Sequence, residues 1–387
     1  MDRVVVVGAS LAAVHSIDSL RHHGYDGQIV LVGAERFLPY DRPPLSKEML
    51  HQPSQPSLLR TEDWFERSGV TTLLGRAASH LHPADRMIEL SDGTTIAYDG
   101  LILASGSQAR RLGIGDEHIH YLRDFDDCAR LHADLNGVEH VAVIGGGFIG
   151  LEVAATLVES GRSVTVVEVA PVPLSRVLGD EVGHWFQALH ARHGVTMRCG
   201  RPALSVAHLG PGYVVDLGGG ERIHADLVVG ALGAAPATDW LRGSGISLGD
   251  GIRCDPALRT NLPGVVAAGD LARWYNPLFD EEMRIEQWTN AVEQGQHAAK
   301  TLLGADEPYA PVPYFWSDQY EAKMRFVGRV NGAAQMQVES MSEDSLAVVF
   351  GRGDTCVGAL CVNATARLPA YRSAIAARAD YRAVVNG

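Results

Sequence analysis

Three short stretches carry residues whose types and spacing suit the handling of phosphate-linked nucleotides. Gly145-Gly146-Gly147-Phe148-Ile149-Gly150 has the spacing G-x-G-x-x-G, and Glu168 supplies a carboxylate about twenty residues further on. Gly8-Ala9-Ser10-Leu11-Ala12-Ala13 repeats the pattern, with serine at the middle glycine, alanine at the last and Glu35 as the acid. A third stretch, Leu262 to Asp270, closes on Gly269-Asp270. The chemistry these residues suit is close backbone approach. Gly145 permits a tight turn, Gly147 lets the backbone near a pyrophosphate, and Gly150 lets a helix lie close on its strand. The helix N-terminus then offers unpaired N–H groups and the positive end of its dipole to the phosphates. Glu168 accepts hydrogen bonds from ribose hydroxyls and repels a 2′-phosphate, so NAD(H) is expected over NADP(H); Arg162 and Arg176, close in sequence, pull the other way.

Those residues work only if strands and helices hold them. Val141–Ile144 is a short apolar run before the second glycine turn, a helix is predicted from Leu151 to Ser160, and Ser163–Val167 is a second buried strand ending at Glu168. The first copy reads the same way: strand Val4–Val7, helix to about His23, strand Gln28–Val32. In the third stretch an apolar strand ends in a turn that can aim Asp270 at a ribityl hydroxyl or across a flavin pyrophosphate. The first and third stretches must meet to enclose one cofactor, whereas the second is a complete βαβ unit. Two dinucleotide sites in one chain point to electron transfer between two dinucleotides.

A length of 387 residues, with 46% apolar and 20% charged residues, predicts two or three globular domains. A formal charge of −13 argues against a nucleic-acid partner. The N-terminus runs straight into a strand, so no signal peptide is expected, and no run approaches the ~18 apolar residues of a membrane span. Five scattered cysteines, Cys128, Cys199, Cys254, Cys356 and Cys361, fit a reducing cytoplasm, and Cys356 and Cys361 are placed in a late strand pair. His190 and His193 are spaced i,i+3 with no ligand set beside them, so they are expected on a surface helix and no metal site is expected. Gly218-Gly219-Gly220 is expected as a hairpin turn. Arg367, Arg372, Arg378 and Arg382 stand against a single Asp380 near the C-terminus, either a docking face for an acidic partner or an ordinary solvated helix face.

Four further segments, in order along the chain, carry a resemblance. Pro39-Tyr-Asp-Arg-Pro-Pro-Leu-Ser-Lys47, Leu103-Ala-Ser-Gly-Ser-Gln-Ala-Arg110, Arg284-Ile-Glu-Gln-Trp288 and Phe315-Trp-Ser-Asp-Gln319 resemble signatures of the FAD-dependent ferredoxin reductases of the putidaredoxin, rubredoxin and aromatic-dioxygenase reductase type. The resemblance implies an α/β protein with two Rossmann-like dinucleotide-binding domains and a C-terminal α+β interface domain. The FAD domain would comprise 1–107 and 236–308, the inserted NAD domain 108–235, and the interface domain 309–387. It implies an enzyme that takes hydride from NADH onto FAD and passes single electrons to a small iron–sulfur protein, a ferredoxin of [2Fe–2S] type, which feeds an oxygenase.

Residue roles follow from that resemblance. Hydride transfer leaves negative charge on the flavin, which a nearby cation stabilises; Lys47 takes that place, with Glu152 as its ion-pair partner. Glu35 is assigned to the FAD adenosine ribose, Arg42 and Pro43 to the isoalloxazine, and Asp270 to the ribityl or pyrophosphate portion. Gly8, Ser10, Ala13, Ser105, Arg110, Gly269 and Glu286 join the cofactor contacts. Trp288 and Trp316 are the aromatic residues expected beside the ring, with core packing as their rival use. Phe148 and Ile149, with Gly145, Gly147, Gly150 and Glu168, belong to the nicotinamide nucleotide. Related enzymes that work through a thiol need a cysteine in the loop after the first βαβ unit. Here that loop reads Leu45-Ser46-Lys47-Glu48. Reduction of a small acceptor such as monodehydroascorbate or a quinone survives as an alternative, as does, more weakly, a flavin-binding signalling module.

Overall fold

Valine runs build both central sheets. The computed structural model describes residues 1–330 and 335–386. In chain order the elements that position the site begin with β1 (Arg3–Val7), α1 (Leu11–His22), β2 (Gln28–Val32), β3 (Val70–Leu73) and β4 (Gly100–Leu103). There follow β5 (His120–Tyr121), β6 (His140–Ile144), α2 (Phe148–Glu159), β7 (Ser163–Glu168), α3 (Asp180–Arg192), β8 (Thr196–Cys199) and β9 (Leu227–Gly230). The chain then makes β10 (Val265–Ala267), α4 (Trp288–Leu302), β11 (Tyr314–Gln319), β12 (Ala322–Gly328), β13 (Gln335–Met341), β14 (Leu346–Arg352), β15 (Thr355–Val362) and α5 (Leu368–Ala376).

The chain forms two compact units. One comprises Met1–Asp41, Pro56–Gln108 and Ala235–Phe315; the other comprises Arg42–Gln55, Ala109–Ala234 and Trp316–Gly387. The first holds a five-stranded sheet in the order β10-β4-β1-β2-β3 with every pairing parallel. The second repeats the design as β5-β9-β6-β7-β8, again all parallel. Parallel strands covered on both faces read as unbroken β-branched runs rather than alternating ones, and Val4, Val5 and Val6 are accordingly fully buried, as are Val141, Ala142 and Val143. In each sheet the chain leaves the central strand on one side and returns on the other. The C-terminal ends of β1 and β6 are thus topological switch points, where open α/β sheets bind ligands. The segment between Arg110 and Gly233 begins and ends at one place, with Arg110 N–H donating to Gly233 O at 2.9 Å.

The C-terminal segment of the second unit contributes an antiparallel sheet in the order β11-β12-β15-β14-β13, covered by α5 through the buried Tyr371 and Ile375. Cys356 and Cys361 fall in a late strand pair as expected, both on β15, which pairs antiparallel with β14. Gly218-Gly219-Gly220 does form the turn of an antiparallel pair, Gly212–Gly218 with Glu221–Ala225. Among the described residues no helix is long and apolar enough to cross a membrane, and no group of histidine, cysteine and carboxylate side chains could hold a metal ion.

The surface-helix expectation for His190 is wrong. His190 on α3 is fully buried, with Nε2 2.9 Å from Gln319 Oε1, while His193 stacks on the Tyr320 ring at 3.7 Å between centroids. α3 carries a second layer, the C-terminal sheet, that helical periodicity in α3 alone does not reveal. Burial drives the His190 imidazole down to about 4. Its folded pKa lies below the unfolded value of about 6.5, so between these values the unfolded chain binds more protons and acid favours unfolding. Stability should therefore fall by the order of 3 kcal/mol as pH drops from about 6.5 to 4. Chemical denaturation across that window should show a shallower slope in His190→Gln; an unchanged slope would remove His190 from the acid response.

Candidate active site

The first glycine of each turn is forced by the backbone. Gly8 and Gly145 hold φ of +113° and +114°, and an added Cβ would stand 2.0 Å from Ala104 O and 2.2 Å from Ala231 O respectively. The two turns are built alike. Gly150 also admits no side chain, since its Cβ would meet Gly145 O at 2.0 Å. Gly147 differs: it is extended, caps α2, and nothing in the protein lies within 4 Å of its Cβ position. Space left open at a helix N-terminus is what a pyrophosphate needs, so these residues fit a dinucleotide. Ser10 occupies the same cap position on α1, and its hydroxyl makes no cap hydrogen bond there.

In the first unit, α4 crosses α1 at small residues, with the Gly295 Cβ position 2.3 Å from Ala12 O, and Gly269 N–H donates to Gln294 Oε1 at 2.8 Å. Those contacts bring the Gly269–Asp270 turn against the helix that starts at the first glycine turn; the buried Ala13 lies on the same helix. Asp270 accepts from Ser107 Oγ at 2.7 Å, and its carbonyl accepts from Arg284, which also pairs with Glu286 at 2.5 Å. Glu35 accepts from Tyr40 OH at 2.5 Å, and Trp288 Nε1 donates to Asp41 Oδ1 at 2.8 Å. Ser105 Oγ donates to the Ala237 carbonyl at 3.0 Å.

In the second unit, Glu168 at the end of β7 is aimed back at the glycine turn. Its two oxygens accept Gly146 N–H and Ala170 N–H, each at 2.7 Å, and Arg176 reaches the same carboxylate at 3.4 Å. Arg162 is turned away, onto Leu135 O and Ser160 Oγ. Of the two cations that could favour a 2′-phosphate, one is therefore held by the acid itself and the other is spent elsewhere. Phe148 is half-buried and Ile149 is 48% exposed at the start of α2. Arg110 is used by the backbone at Gly233 and Ala234.

The most concentrated chemistry lies around Glu152. Prolines 43 and 44 start a single 3-10 turn, Pro43–Ser46, after which Lys47 breaks direction with φ −124° and ψ −116°. Glu152 and Thr156 are one helical turn apart on α2 and face that turn together. Thr156 Oγ1 donates to Ser46 O at 2.7 Å, Ser46 Oγ donates to Glu152 Oε2 at 2.7 Å, and Lys47 Nζ stands 2.7 Å from the same oxygen. Ser317 Oγ occupies Oε1 at 2.7 Å. Arg42 donates to Arg123 O at 3.0 Å, and Trp316 is half-buried. A buried carboxylate is tolerated here because both its oxygens are partnered and a cation closes the pair.

Residues 2–295 match the family described as pyridine nucleotide-disulphide oxidoreductase, and residues 314–385 match the reductase C-terminal family. The chain is 37% identical, over 98% of its length and 95% of the relative's, to the ferredoxin–NAD(+) reductase component of the anthranilate 1,2-dioxygenase system of Burkholderia cepacia. The chain belongs to the ferredoxin reductase branch of the pyridine nucleotide-disulphide oxidoreductases. Its fold superposes with a TM-score of 0.94 on the ferredoxin reductase for the CYP199A2 system of Rhodopseudomonas palustris, at 33% identity, covering 98% of this chain and 96% of that one. A TM-score of 0.93 at 30% identity relates it to the covalent putidaredoxin reductase–putidaredoxin complex, covering 100% of this chain and 96% of that one.

Ferredoxin reductase residues that sequence reasoning missed are those with no glycine spacing to mark them. Tyr40, Asp41, Ser46 and Ser317 all lie within segments recognised by resemblance, yet nothing in their order reveals that a tyrosine would hold Glu35 or that two serines would hold one carboxylate. Arg367 was read as part of a basic face, but it is ion-paired to Glu339 at 2.7 Å, with Tyr371 on the same oxygen.

Proposed function

We propose that this chain is an NADH-dependent ferredoxin reductase that carries FAD in the first unit, binds NADH in the second, and passes electrons to a [2Fe–2S] protein supplying an oxygenase. The observation that carries the reading is the pair of like-built dinucleotide turns, Gly8 and Gly145, in a chain similar end to end to such reductases. When bound, FAD supplies conversion of a two-electron hydride donor into two single-electron deliveries. The protein's own residues bind and orient: Ser10, Ala13 and Glu35 with Gly269 and Asp270 on the flavin nucleotide, and Gly147, Phe148, Ile149 and Glu168 on the nicotinamide nucleotide. Ser105, Arg110 and Glu286 are assigned to the cofactor contacts with them. Lys47, oriented by Glu152, is the cation that offsets the negative charge arriving with hydride. The resemblance assigns Trp288 in the first unit, and Arg42, Pro43 and Trp316 in the second, to the flavin ring.

Direct exit of electrons is favoured by the state of the thiols. All five cysteines are free, and Cys128, whose Sγ contacts Leu45 O at 3.3 Å, is buried with its thiol pushed up to about 11. A thiol held that high supplies almost no thiolate for a relay. Free thiols throughout also support the reducing cytoplasm as the site of action.

The reading is tested by anaerobic stopped flow, mixing the yellow protein with NADH and then with [2Fe–2S] ferredoxins, rubredoxin or monodehydroascorbate. Fast bleaching followed by fast reoxidation with one iron–sulfur protein is the expected result. Reoxidation only by monodehydroascorbate would replace the partner, and no bleaching would refute the NADH site. We place the docking face on the exposed Arg372 and Arg382 rather than on Arg367. Arg372→Glu with Arg382→Glu should raise the KM for the iron–sulfur protein about tenfold at low salt while leaving ferricyanide reduction unchanged. A parallel fall in both activities would make the arginines structural.

A further inference from the structure

The hydrogen bonds on Glu152 do not stop at Ser317. Gln319 Nε2 lies 3.0 Å from Ser317 Oγ, Gln319 Oε1 lies 2.9 Å from His190 Nε2, and His190 Nδ1 lies 3.2 Å from Tyr320 OH. The direction of the whole run is set from its inner end. A carboxylate only accepts, so Ser317 spends its one proton on Glu152 and must accept from Gln319. Gln319 therefore presents its amide N–H₂ to Ser317 and its oxygen to His190, which must carry its proton on Nε2. His190 Nδ1 is left as an acceptor for the Tyr320 hydroxyl. Four donors in succession thus point at one carboxylate, through side chains that are 1% (Ser317), 1% (Gln319) and 0% (His190) exposed. At the outer end the His193 ring covers Tyr320, and His193 Nε2 reaches Glu321 at 3.2 Å.

We propose that Ser317, Gln319 and His190 are positioning residues for the Lys47–Glu152 pair. By occupying Oε1 they fix the plane of the carboxylate and leave Oε2 to Lys47 and Ser46. Lys47 is 23% exposed on its side chain and touches Glu152 through one oxygen, so its placement depends on that plane. The polar run also explains why a glutamine and a histidine are buried where the C-terminal sheet meets α3, since either would be costly unless both its polar ends were met. This inference rests on the reading that Lys47 serves flavin reduction by NADH.

The test compares holoenzyme variants in anaerobic reduction by NADH. Gln319→Leu should lower the limiting rate of flavin reduction up to about tenfold, the upper scale of one neutral hydrogen bond, with the Kd for NADH unchanged. His190→Leu should do the same, whereas His190→Gln, which keeps an N–H near the Nε2 position, should restore the rate. In a Glu152→Gln background, Gln319→Leu should add nothing, because its effect passes through Glu152. Additive losses, or no loss in Gln319→Leu, would overturn the proposal. A second readout needs no NADH: ¹⁵N spectra of the imidazoles, with the His190 signal identified by its loss in His190→Gln, should show the Nε2–H tautomer. An Nδ1–H tautomer would reverse the run and refute it. If wild-type flavin is not reduced by NADH, the reductase reading has failed; if it is reduced and the variants keep pace, only the positioning role has.

Discussion

Gly145→Ala should leave a protein that retains FAD and has lost NADH, with the Kd for NADH raised at least about a hundredfold, or roughly 2.7 kcal/mol. The alanine must adopt φ near +114°, which costs of the order of 1 kcal/mol, and its Cβ would sit 2.2 Å from the Ala231 backbone oxygen. Backbone cannot step aside as a flexible side chain can. The turn has to move, and with it the Gly146 N–H that Glu168 holds at 2.7 Å and the N-terminus of α2. Gly147→Ala provides the contrast. Its Cβ meets no protein atom within 4 Å, so melting temperature should stay within a degree or two while NADH binding weakens, because the methyl group fills space meant for phosphate. Calorimetric titration with NAD⁺ and thermal melts of the two variants separate the cases. Wild-type affinity in both would mean that the nucleotide binds elsewhere.

Lys47→Met should slow reduction of the flavin by NADH about a hundredfold, the scale found when a charge-stabilising group is removed from a developing anion. FAD should stay bound, since the residues assigned to its nucleotide, Ser10, Ala13, Glu35 and Asp270, belong to the first unit and Lys47 to the second. The variant also leaves the buried Glu152 carboxylate with two serine donors and no cation, a state costing several kcal/mol when a buried pair is broken. A lowered melting temperature is thus part of the expected result, and Lys47→Arg should recover more of the stability than of the rate, because a planar guanidinium cannot reproduce a point charge at 2.7 Å. Reduction at the wild-type rate in Lys47→Met would remove Lys47 from the chemistry.

What could be read from the order of residues, and what could not, divides along physical lines. Strands such as Val4–Val7 and Val141–Ile144 announce themselves because a strand buried on both faces has no polar residue to place, and the glycine turns because only glycine tolerates the required φ. Glu35 and Glu168 are legible through their fixed distance along a βαβ unit. The Glu152 neighbourhood is not, apart from the Lys47 partner supplied by resemblance. Ser46 and Ser317 reach that carboxylate from 106 and 165 residues away, and sequence spacing carries no information over such separations. His190 failed for the same reason: its helix looks amphipathic and exposed until the C-terminal sheet, more than a hundred residues later, is laid against it. Arg367 is on the surface as expected, but its pairing with Glu339, 28 residues earlier, is not legible in the order of residues.

The segment between Arg110 and Gly233 leaves and rejoins the chain at one place, through Arg110 N–H to Gly233 O and Arg110 Nε to Ala234 O, yet Glu152, Thr156 and His190 inside it are tied to Ser46, Lys47, Ser317 and Gln319 outside it. A graft cut at that seam would have to carry Ser46, Lys47, Ser317 and Gln319 with it, or the buried Glu152 carboxylate and His190 would lose their partners.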